Sequence, residues 1–296
     1  EFKSKLKKMI ESNDFDAVHF EWEQMIQYYN YIEKIPLKTV TCHDVISQMY
    51  TRKMKNSSFL KGVYKFYSKK IIQNENIFLS KMNNVFTLNS KDSSLLKVIN
   101  NEINTTEIIP YYNKSKHSPK AKIEKKYDLV FFGALNRIEN EKGILWFLDK
   151  VYPKIKERKP TVSLQIVGNK PSKALIKYSK DPNITVTGFV DDPYEIILRT
   201  KVGIVPLFLG AGIKIKTLEF MSCGIPVVTT EVGIEGIPAG KNEGVLVENR
   251  VESFANKIIY LLDNDAEATK LGFKAREFVN KEFNFENNIE KLNEYI

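Results

Sequence analysis

Short apolar runs rich in β-branched residues alternate with helical patterns along this chain of 296 residues. Each run is too short for a helix and is followed by a segment with helical periodicity, which is the pattern of parallel sheets covered by helices. The sequence therefore predicts an α/β fold with doubly wound parallel sheets. Strands are predicted at 16–20, 37–42, 84–89, 107–111, 128–133, 163–168, 184–188, 202–207, 226–230 and 244–247.

The length of the chain exceeds that of one typical core and fits two domains. Residues 113–126 interrupt the alternation with one proline and few apolar side chains, which predicts an interdomain linker. We therefore expect one domain over 1–122 and another over 127–282. The last stretch, 285–296, has an amphipathic helical pattern and no following strand, so it must pack on a surface that is already built.

The most informative local pattern is a glycine turn followed by a short helix, a glycine stop and a buried strand, at residues 210–236. Gly210 and Gly212 lack a Cβ, so backbone amides can approach an anion, and the helix start presents unpaired N–H groups to it. Lys214 and Lys216 add positive charge at the same place. This arrangement predicts a phosphate-binding site.

Two further residues extend this predicted site. Glu219 lies three residues after Lys216 on one side of the helix, where it can accept hydrogen bonds from sugar hydroxyls. A purely structural pair between Glu219 and Lys216 fits the same spacing. Lys142 precedes Gly143 at an expected helix start after a strand, from which it can reach a diphosphate, although a solvated lysine fits equally well.

Histidines at strand ends are the candidates for chemistry in the first half. His43 follows the predicted strand 37–42, at a carboxyl end where α/β proteins bind ligands. A structural histidine and a functional one are both compatible with this position, and neighbouring Asp44 favours function. His19 also ends a strand, where it either lines an acceptor site or is simply buried.

The net charge of +9 comes entirely from the first half of the chain. Residues 1–126 carry 22 basic and 13 acidic residues, whereas residues 127–296 carry 23 of each. Lysines alternate with aromatic residues over 50–81, which is typical of a helix that meets an anionic membrane surface. A solvated helix face gives the same pattern. Nucleic acid is a third possibility, but no nucleic-acid-binding motif accompanies the charge.

Several function classes are excluded by the sequence. It has no Gly-x-Ser-x-Gly elbow and no Gly-x-Gly-x-x-Gly dinucleotide fingerprint, which argues against a serine hydrolase and a dehydrogenase. Its three histidines and two cysteines are scattered, so no metal site is expected. Cys42 and Cys223 lie in apolar surroundings, which suits reduced thiols in the cytoplasm. No run approaches the ~20 apolar residues of a membrane span.

The order Gly-x-Gly-Ile-Lys-x-Lys-x-Leu-Glu-x-Met-x-x-Gly-x-Pro-Val-Val-x-Thr, which begins at Gly210, resembles the nucleotide-sugar site of the family 4 glycosyltransferases. These enzymes have two facing Rossmann-like domains. Segments that resemble their donor domain are 129–133, 141–143, 165–169 and 186–190. Segments that resemble their acceptor domain are 16–20, 41–44 and 86–92.

The resemblance implies a fold of the GT-B type with an incomplete first domain, which lacks its first strands, and a final helix that crosses back onto that domain. It also implies a retaining, metal-independent sugar transfer from a nucleoside diphosphate sugar to a glycan or lipid-linked acceptor. Such an enzyme would make surface polysaccharide or glycoconjugates in the cytoplasm, at the inner face of the cell membrane. The implied residues are His43, Lys216 and Glu219 at the reacting centre, Lys142, Gly212, Ile213 and Lys214 at the diphosphate, and Gly133, Asn169 and Phe189 at the base or sugar.

One departure from the family pattern leaves alternatives open. Many members carry two glutamates eight positions apart, and this chain matches the second with Glu219 but has Ala211 at the first. Alanine cannot act electrostatically, so Lys214 and Lys216 are expected to carry more of the site. A nucleotide-sugar epimerase on the same fold and a non-catalytic subunit that binds nucleotide sugars are the alternative functions.

Overall fold

The structure is a computed structural model, and it describes residues 1–55, 59–110, 123–286 and 289. The chain divides into two compact units. Among the described residues, the first unit contains residues 1–55 and 59–110 with Ala211–Ile213, Glu286 and Ile289, and the second contains residues 123–210 and Lys214–Phe285. Most of the predicted linker at 113–126 and of the predicted final helix at 285–296 lies outside the described residues.

The first unit is built on a four-stranded parallel sheet in the order β1-β2-β3-β4. Its strands are β1 (Ala17–Glu21), β2 (Leu37–Cys42), β3 (Asn84–Thr87) and β4 (Thr105–Glu107). Its described helices are α1 (Phe2–Ser12), α2 (Tyr29–Ile32), α3 (Ile46–Lys55), α4 (Lys61–Leu79) and α5 (Ser90–Ile99), and a 3₁₀ turn spans Glu23–Tyr28. Val40 and Val85, on the two central strands, have no exposed surface and anchor an apolar core with Ile32 and Leu79.

The second unit is built on a six-stranded parallel sheet in the order β10-β9-β8-β5-β6-β7. Its strands are β5 (Tyr127–Phe132), β6 (Leu164–Val167), β7 (Ile184–Gly188), β8 (Thr200–Val205), β9 (Val227–Thr229) and β10 (Val245–Val247). Its described helices are α6 (Ile138–Trp146), α7 (Tyr152–Arg158), α8 (Lys173–Ile176), α9 (Tyr194–Leu198), α10 (Ile215–Ser222), α11 (Val251–Asp263) and α12 (Asp265–Glu282). All four residues of β6 are buried, as expected for a strand with helices on both faces.

Two predicted boundaries are corrected by the structure. The fourth strand was predicted at 107–111 but runs over Thr105–Glu107, because a short threonine-rich edge strand has no apolar run to mark it. The helix after β5 begins at Ile138, so Lys142 lies within that helix and not at its start. Glu139 and Glu141 in its first turn stabilise the earlier start, since acidic side chains complement the positive end of a helix.

The strand order of the second unit fixes where a ligand can bind. Counted within that unit, the order is 3-2-1-4-5-6, and the direction of winding reverses between its first and fourth strands, β5 and β8. Ligands of doubly wound sheets bind at this reversal, outside the carboxyl ends of the strands. The residues that follow β5 and β8 are therefore expected to form the ligand site.

Candidate functional site

Gly133 directly follows β5 and leaves room for a lysine from elsewhere in the sequence. Its φ is +154°, and a Cβ built on it would lie 2.5 Å from Lys216 Nζ and 3.0 Å from Asn140 Nδ2. A side chain at this position would therefore displace both groups. Gly168, after β6, is tighter still, because a Cβ there would overlap the Gly133 carbonyl oxygen. Gly168 lets the two strand ends pack closely, and Gly133 lets the Lys216 ammonium approach the backbone after β5.

The turn after β8 leads into α10 through two glycines with positive φ. Gly210 has φ +107° and Gly212 has φ +64°, values that other L residues rarely adopt. Lys214 occupies the N-cap position, without a side-chain capping hydrogen bond, and the helix begins at Ile215. Gly212 and Ile213 therefore lie just before the helix start, as the sequence pattern predicted.

Lys216 is in the first turn of α10 and is the centre of the site. Its Nζ donates a hydrogen bond of 2.6 Å to Asn140 Oδ1 and lies 4.8 Å from the centroid of the Phe131 ring. Desolvation lowers the pKa of Lys216 to about 7, against an opposing effect from the charges of Glu219 and Glu139. The lysine is thus held close to its titration point near neutral pH, where a bound anion would favour its charged form.

Asn140 holds Lys216 in place, and sequence reasoning missed it. Asn140 is 5% exposed, and its Nδ2 donates a 2.8 Å hydrogen bond to the Ala134 carbonyl oxygen. Both ends of the amide are therefore used, one on the loop after β5 and one on Lys216. The available signal was periodicity, because Asn140 shares the buried stripe of α6 with Gly143 and Ile144. A polar residue on a buried helix stripe is unusual and marks a specific partner.

Glu219 lies one turn further along α10, and Tyr194 of α9 is its hydrogen-bond donor. Tyr194 Oη lies 3.1 Å from Glu219 Oε1. Glu219 is also the largest source of the charge effect that raises the pKa of Lys216, so the two charges face one region. Sequence reasoning did not single out Tyr194, because a contact between α9 and α10 has no signature in local spacing.

Lys214 is buried and lies next to a second carboxylate. Its Nζ is 3.7 Å from Glu235 Oε2, and the two side chains are 8% and 4% exposed. A Cβ on Gly210 would also lie 3.7 Å from Lys214 Nζ, so this lysine borders the glycine turn. A buried pair of this kind fixes geometry, and removing one partner leaves an uncompensated charge.

Three other predicted residues are exposed. Lys142 lies on the outer side of α6. Asn169 is exposed after β6, and its carbonyl oxygen accepts a 3.0 Å hydrogen bond from the Leu135 amide. Phe189 follows β7 and is 69% exposed. The structure thus brings Gly133, Lys216 and Glu219 together with Asn140, while the contacts expected of Lys142, Asn169 and Phe189 stay predictions.

In the first unit, His43 lies at the carboxyl end of β2 within a polar and aromatic cluster. Its Nε2 is hydrogen-bonded to the Glu21 carboxylate, and its ring stacks on the Trp22 indole at 3.8 Å between centroids and 15° between planes. The His43 amide donates a 3.1 Å hydrogen bond to Glu23 Oε2. Glu23 is 2% exposed, and burial raises its pKa to about 7. His43 is thus fixed by three side chains.

His19 belongs to the same cluster. Its Nδ1 lies 2.8 Å from Thr39 Oγ1, and its Nε2 lies 3.1 Å from Thr41 Oγ1 and 3.4 Å from Glu21 Oε2. Glu21 therefore lies between the two histidines. His19 retains 41% of its side-chain surface, so the cluster is an open edge of the sheet and the burial alternative for His19 is wrong.

Comparison with known proteins finds a family profile that matches part of the chain. Residues 126–264 match the sequence profile of the family described as Glycosyl transferases group 1. A Klebsiella pneumoniae protein described as "Uncharacterized 44.6 kDa protein in cps region" is 29% identical over 171 residues, which cover 53% of this chain and 44% of that protein. A poly(ribitol-phosphate) alpha-N-acetylglucosaminyltransferase of Staphylococcus aureus is 25% identical over 243 residues, or 78% of this chain and 46% of that protein. The chain spans about half the length of these curated relatives.

Solved structures share the fold at low identity. Sucrose-phosphate synthase from Thermosynechococcus elongatus superposes with a TM-score of 0.80 at 18% identity, covering 99% of this chain and 76% of that one. Anabaena HepE, in a complex with UDP, superposes with a TM-score of 0.72 at 12% identity, covering 98% of this chain and 80% of that one. The α/β fold with two parallel sheets, of the GT-B type, is thereby confirmed. Within the described residues, no helix is long and apolar enough to cross a membrane.

Proposed function

We propose that this protein transfers a sugar from a nucleoside diphosphate sugar to a glycan or lipid-linked acceptor, because residues 126–264 match the sequence profile of the family described as Glycosyl transferases group 1. The product would belong to a surface polysaccharide or glycoconjugate, in keeping with the names of the two curated relatives. The observation that carries the proposal is Lys216 at the point where the sheet reverses direction, held against Gly133 by Asn140.

The diphosphate of the donor would bind next to the Lys216 ammonium. Its negative charge grows as the bond to the sugar breaks, and preorganised cations and amides stabilise that charge. In this chain Lys216, the turn amides of Gly212 and Ile213, and Lys214 would supply the stabilisation, with Lys142 reaching the outer phosphate. These groups would suffice without a metal ion, and the reaction would retain the anomeric configuration.

The rest of the donor would extend along the ends of the neighbouring strands. Glu219 would accept hydrogen bonds from the ribose hydroxyls, with Tyr194 Oη, 3.1 Å away, orienting its carboxylate. Gly133, Asn169 and Phe189, which follow β5, β6 and β7, would contact the base or the sugar. Anabaena HepE has been solved with UDP and with UDP-glucose, so uridine diphosphate sugars are the first donors to test.

The first unit would bind the acceptor and contribute His43 to the reacting centre. His43 lies at a strand end with its ring fixed by Glu21 and Trp22, so its orientation is set before any substrate binds. A preorganised imidazole next to the transferred sugar can hold a hydroxyl through the transition state.

We also propose that α4 places the protein on an anionic membrane surface. Its exposed apolar side chains include Phe66, Val63 and Tyr67, at 65%, 49% and 48%. Lys65 and Lys69 are exposed on the same helix. Apolar side chains that enter the headgroup region, flanked by lysines that meet anionic lipids, are the components of an interfacial helix. A lipid-linked acceptor would be reached at the same surface.

Release of nucleoside diphosphate from a panel of donor sugars, with and without candidate acceptors, tests the proposal. The double variant Lys216→Ala with Glu219→Ala should lose at least about 100-fold in turnover, the range found when one preorganised stabiliser is removed. Lys270→Ala with Glu267→Ala is the matched control, because this salt-bridged surface pair of α12 is also three residues apart. Unchanged turnover in the first variant would exclude the site. Product formed without acceptor would favour an epimerase, and nucleotide binding without turnover a non-catalytic subunit.

A further inference from the structure

Trp22, at the end of β1, has a backbone conformation that bulky residues rarely adopt. Its φ is +84°, and among the described residues other than glycine only Lys170 also has a positive φ. Such conformations are strained in residues with a Cβ, and they persist where the surroundings impose them, often at functional sites. Two backbone hydrogen bonds impose it here, from the Trp22 amide to the Thr41 carbonyl oxygen at 3.2 Å and from the Met25 amide to the Trp22 carbonyl oxygen at 3.0 Å.

This strained conformation does not bury the indole. One face stacks on the His43 ring, yet the residue is 48% exposed. A tryptophan that served only the core would be covered, since each exposed part of the ring forgoes apolar burial. The backbone therefore holds a large aromatic surface toward solvent at the carboxyl edge of the sheet.

The groups around the indole are those that hydrogen-bond sugar hydroxyls. Glu21 is exposed over 57% of its side chain and His19 over 41%. Thr41 Oγ1 lies 3.1 Å from His19 Nε2. A pyranose ring has one face of C–H groups, which packs on an aromatic ring, and a rim of hydroxyls, which pairs with carboxylate, imidazole and hydroxyl groups. An open aromatic face with a few polar groups beside it is the composition of a specific small-molecule site.

We propose that the exposed face of Trp22 is the platform on which a pyranose ring of the acceptor stacks, with Glu21 and His19 bonding its hydroxyls. That the sugar belongs to the acceptor rests on the proposed function. The same stacking fixes the His43 ring on the opposite face of the indole, so one residue positions both the acceptor sugar and the imidazole. The chemical class of the acceptor is then a glycan with a ring sugar at its accepting end.

The chain provides its own optical probe, because it has two tryptophans. Trp146 packs in the second unit against Phe208 and Phe254, at 4.7 and 5.7 Å between centroids. Trp146→Phe leaves Trp22 as the sole emitter, and Trp22→Phe leaves Trp146. Methyl glycosides of glucose, galactose and N-acetylglucosamine, without donor, should change the emission of the Trp146→Phe protein saturably and shield it from iodide, with no change in the Trp22→Phe protein. A ring-free ribitol phosphate oligomer is the control ligand, and a response to it alone would overturn the proposal.

Kinetics with Trp22→Gly tests the same point by another route. Glycine tolerates the positive φ, so the variant removes the ring without adding strain. We expect the acceptor KM to rise by up to about tenfold, the loss of one good aromatic contact, with the donor KM unchanged. The acceptor KM of Trp22→Phe should lie between those of Trp22→Gly and the wild type. Thermal unfolding checks that both variants fold.

The outcomes separate this inference from the proposed function. An acceptor KM that does not move in Trp22→Gly, or a fall in kcat alone, would mean that Trp22 only supports His43 and would overturn the platform. If the wild-type protein neither binds UDP nor turns over any donor, the proposed function fails, and the fluorescence titration still decides whether Trp22 binds a ring sugar.

Discussion

The two units present the carboxyl ends of parallel strands to a ligand, yet they do so with opposite chemistry. In the second unit, a desolvated lysine is locked between an asparagine and an aromatic ring behind two close-packed strand ends. In the first, histidines, a glutamate and a strained tryptophan form an open edge. In both units the candidate residues follow the carboxyl ends of parallel strands, and the chemistry of those residues decides which ligand each edge suits. A tight cationic turn suits a diphosphate, and an open aromatic edge with hydroxyl partners suits a sugar.

The largest effect is expected at the close approach of Lys216 to Gly133. Gly133→Ala would place a Cβ 2.5 Å from Lys216 Nζ at φ +154°. The lysine must then move out of the site, and UDP affinity should fall about 100-fold by calorimetry. Gly62→Ala is the matched control, because nothing lies within 4 Å of the added Cβ and alanine favours a helix. Equal affinity in both variants would mean that the approach of Lys216 to Gly133 does not matter for binding.

In the first unit, the buried Glu23 should make stability fall with rising pH. Its pKa is raised from 4.5 to about 7, so the native state holds a proton that the unfolded chain has lost between these values. The stabilisation is complete below pH 4.5 and is lost as pH rises through about 7. Between pH 5 and pH 8, the free energy of unfolding of the wild type should fall by about 2 kcal/mol more than that of Glu23→Gln, as measured by urea unfolding.

Part of this pH dependence will remain in the variant, since Glu75 is also buried with a pKa raised by desolvation. Glu33→Gln, at an exposed position of the same unit, should leave the pH dependence unchanged. A wild-type stability that does not fall between pH 5 and pH 8 would contradict the buried, protonated carboxyl at Glu23.

In the second unit, nucleotide binding should weaken with rising pH. Because the pKa of Lys216 is about 7, this lysine loses its charge above that pH in the free protein. Binding of a diphosphate then requires protonation of the lysine, which costs free energy. UDP affinity should fall about tenfold per pH unit once the lysine is mostly neutral. Lys216→Arg keeps its charge at every accessible pH, so its weaker binding should not vary over the same range. Parallel pH profiles in the two proteins would assign the titration to another group.

The smallest effect concerns the outer surface of the first unit. Binding to vesicles with anionic lipid should be several-fold weaker for Lys65→Glu with Lys69→Glu, and weaker for the wild type in high salt, since screening removes the attraction. Lys173→Glu with Lys177→Glu, exposed four residues apart in the second unit, makes the same charge change as a control. No binding to anionic vesicles at low salt would exclude the membrane proposal.

Much of the fold could be predicted from the sequence, because strands that are buried on both faces appear in the sequence as apolar runs. β2 and β7 have the predicted limits. The weak edge strand β4 was misplaced because its threonines carry no such signal. The first turn of α6 was missed because its charged residues read as loop.

The site was predictable only where one segment carries it. Lys216 was predicted because a glycine turn before a helix leaves a local mark, and Gly133 because its segment resembles the donor domain of a known family. Asn140 and Tyr194 were not, because each reaches the site from another helix, and such contacts depend on packing. Trp22 was missed for a different reason, since a positive φ at a non-glycine residue has no sequence signature.

The most direct test of the account is calorimetric binding of UDP to the wild-type protein, Lys216→Ala and Lys270→Ala. Lys270 is an exposed lysine of α12, so its loss controls for charge alone. The account predicts saturable binding to the wild type, an affinity lower by at least about 100-fold in Lys216→Ala, and no change in Lys270→Ala. Equal affinity in Lys216→Ala and the wild type would contradict the central claim that Lys216 forms the nucleotide diphosphate site.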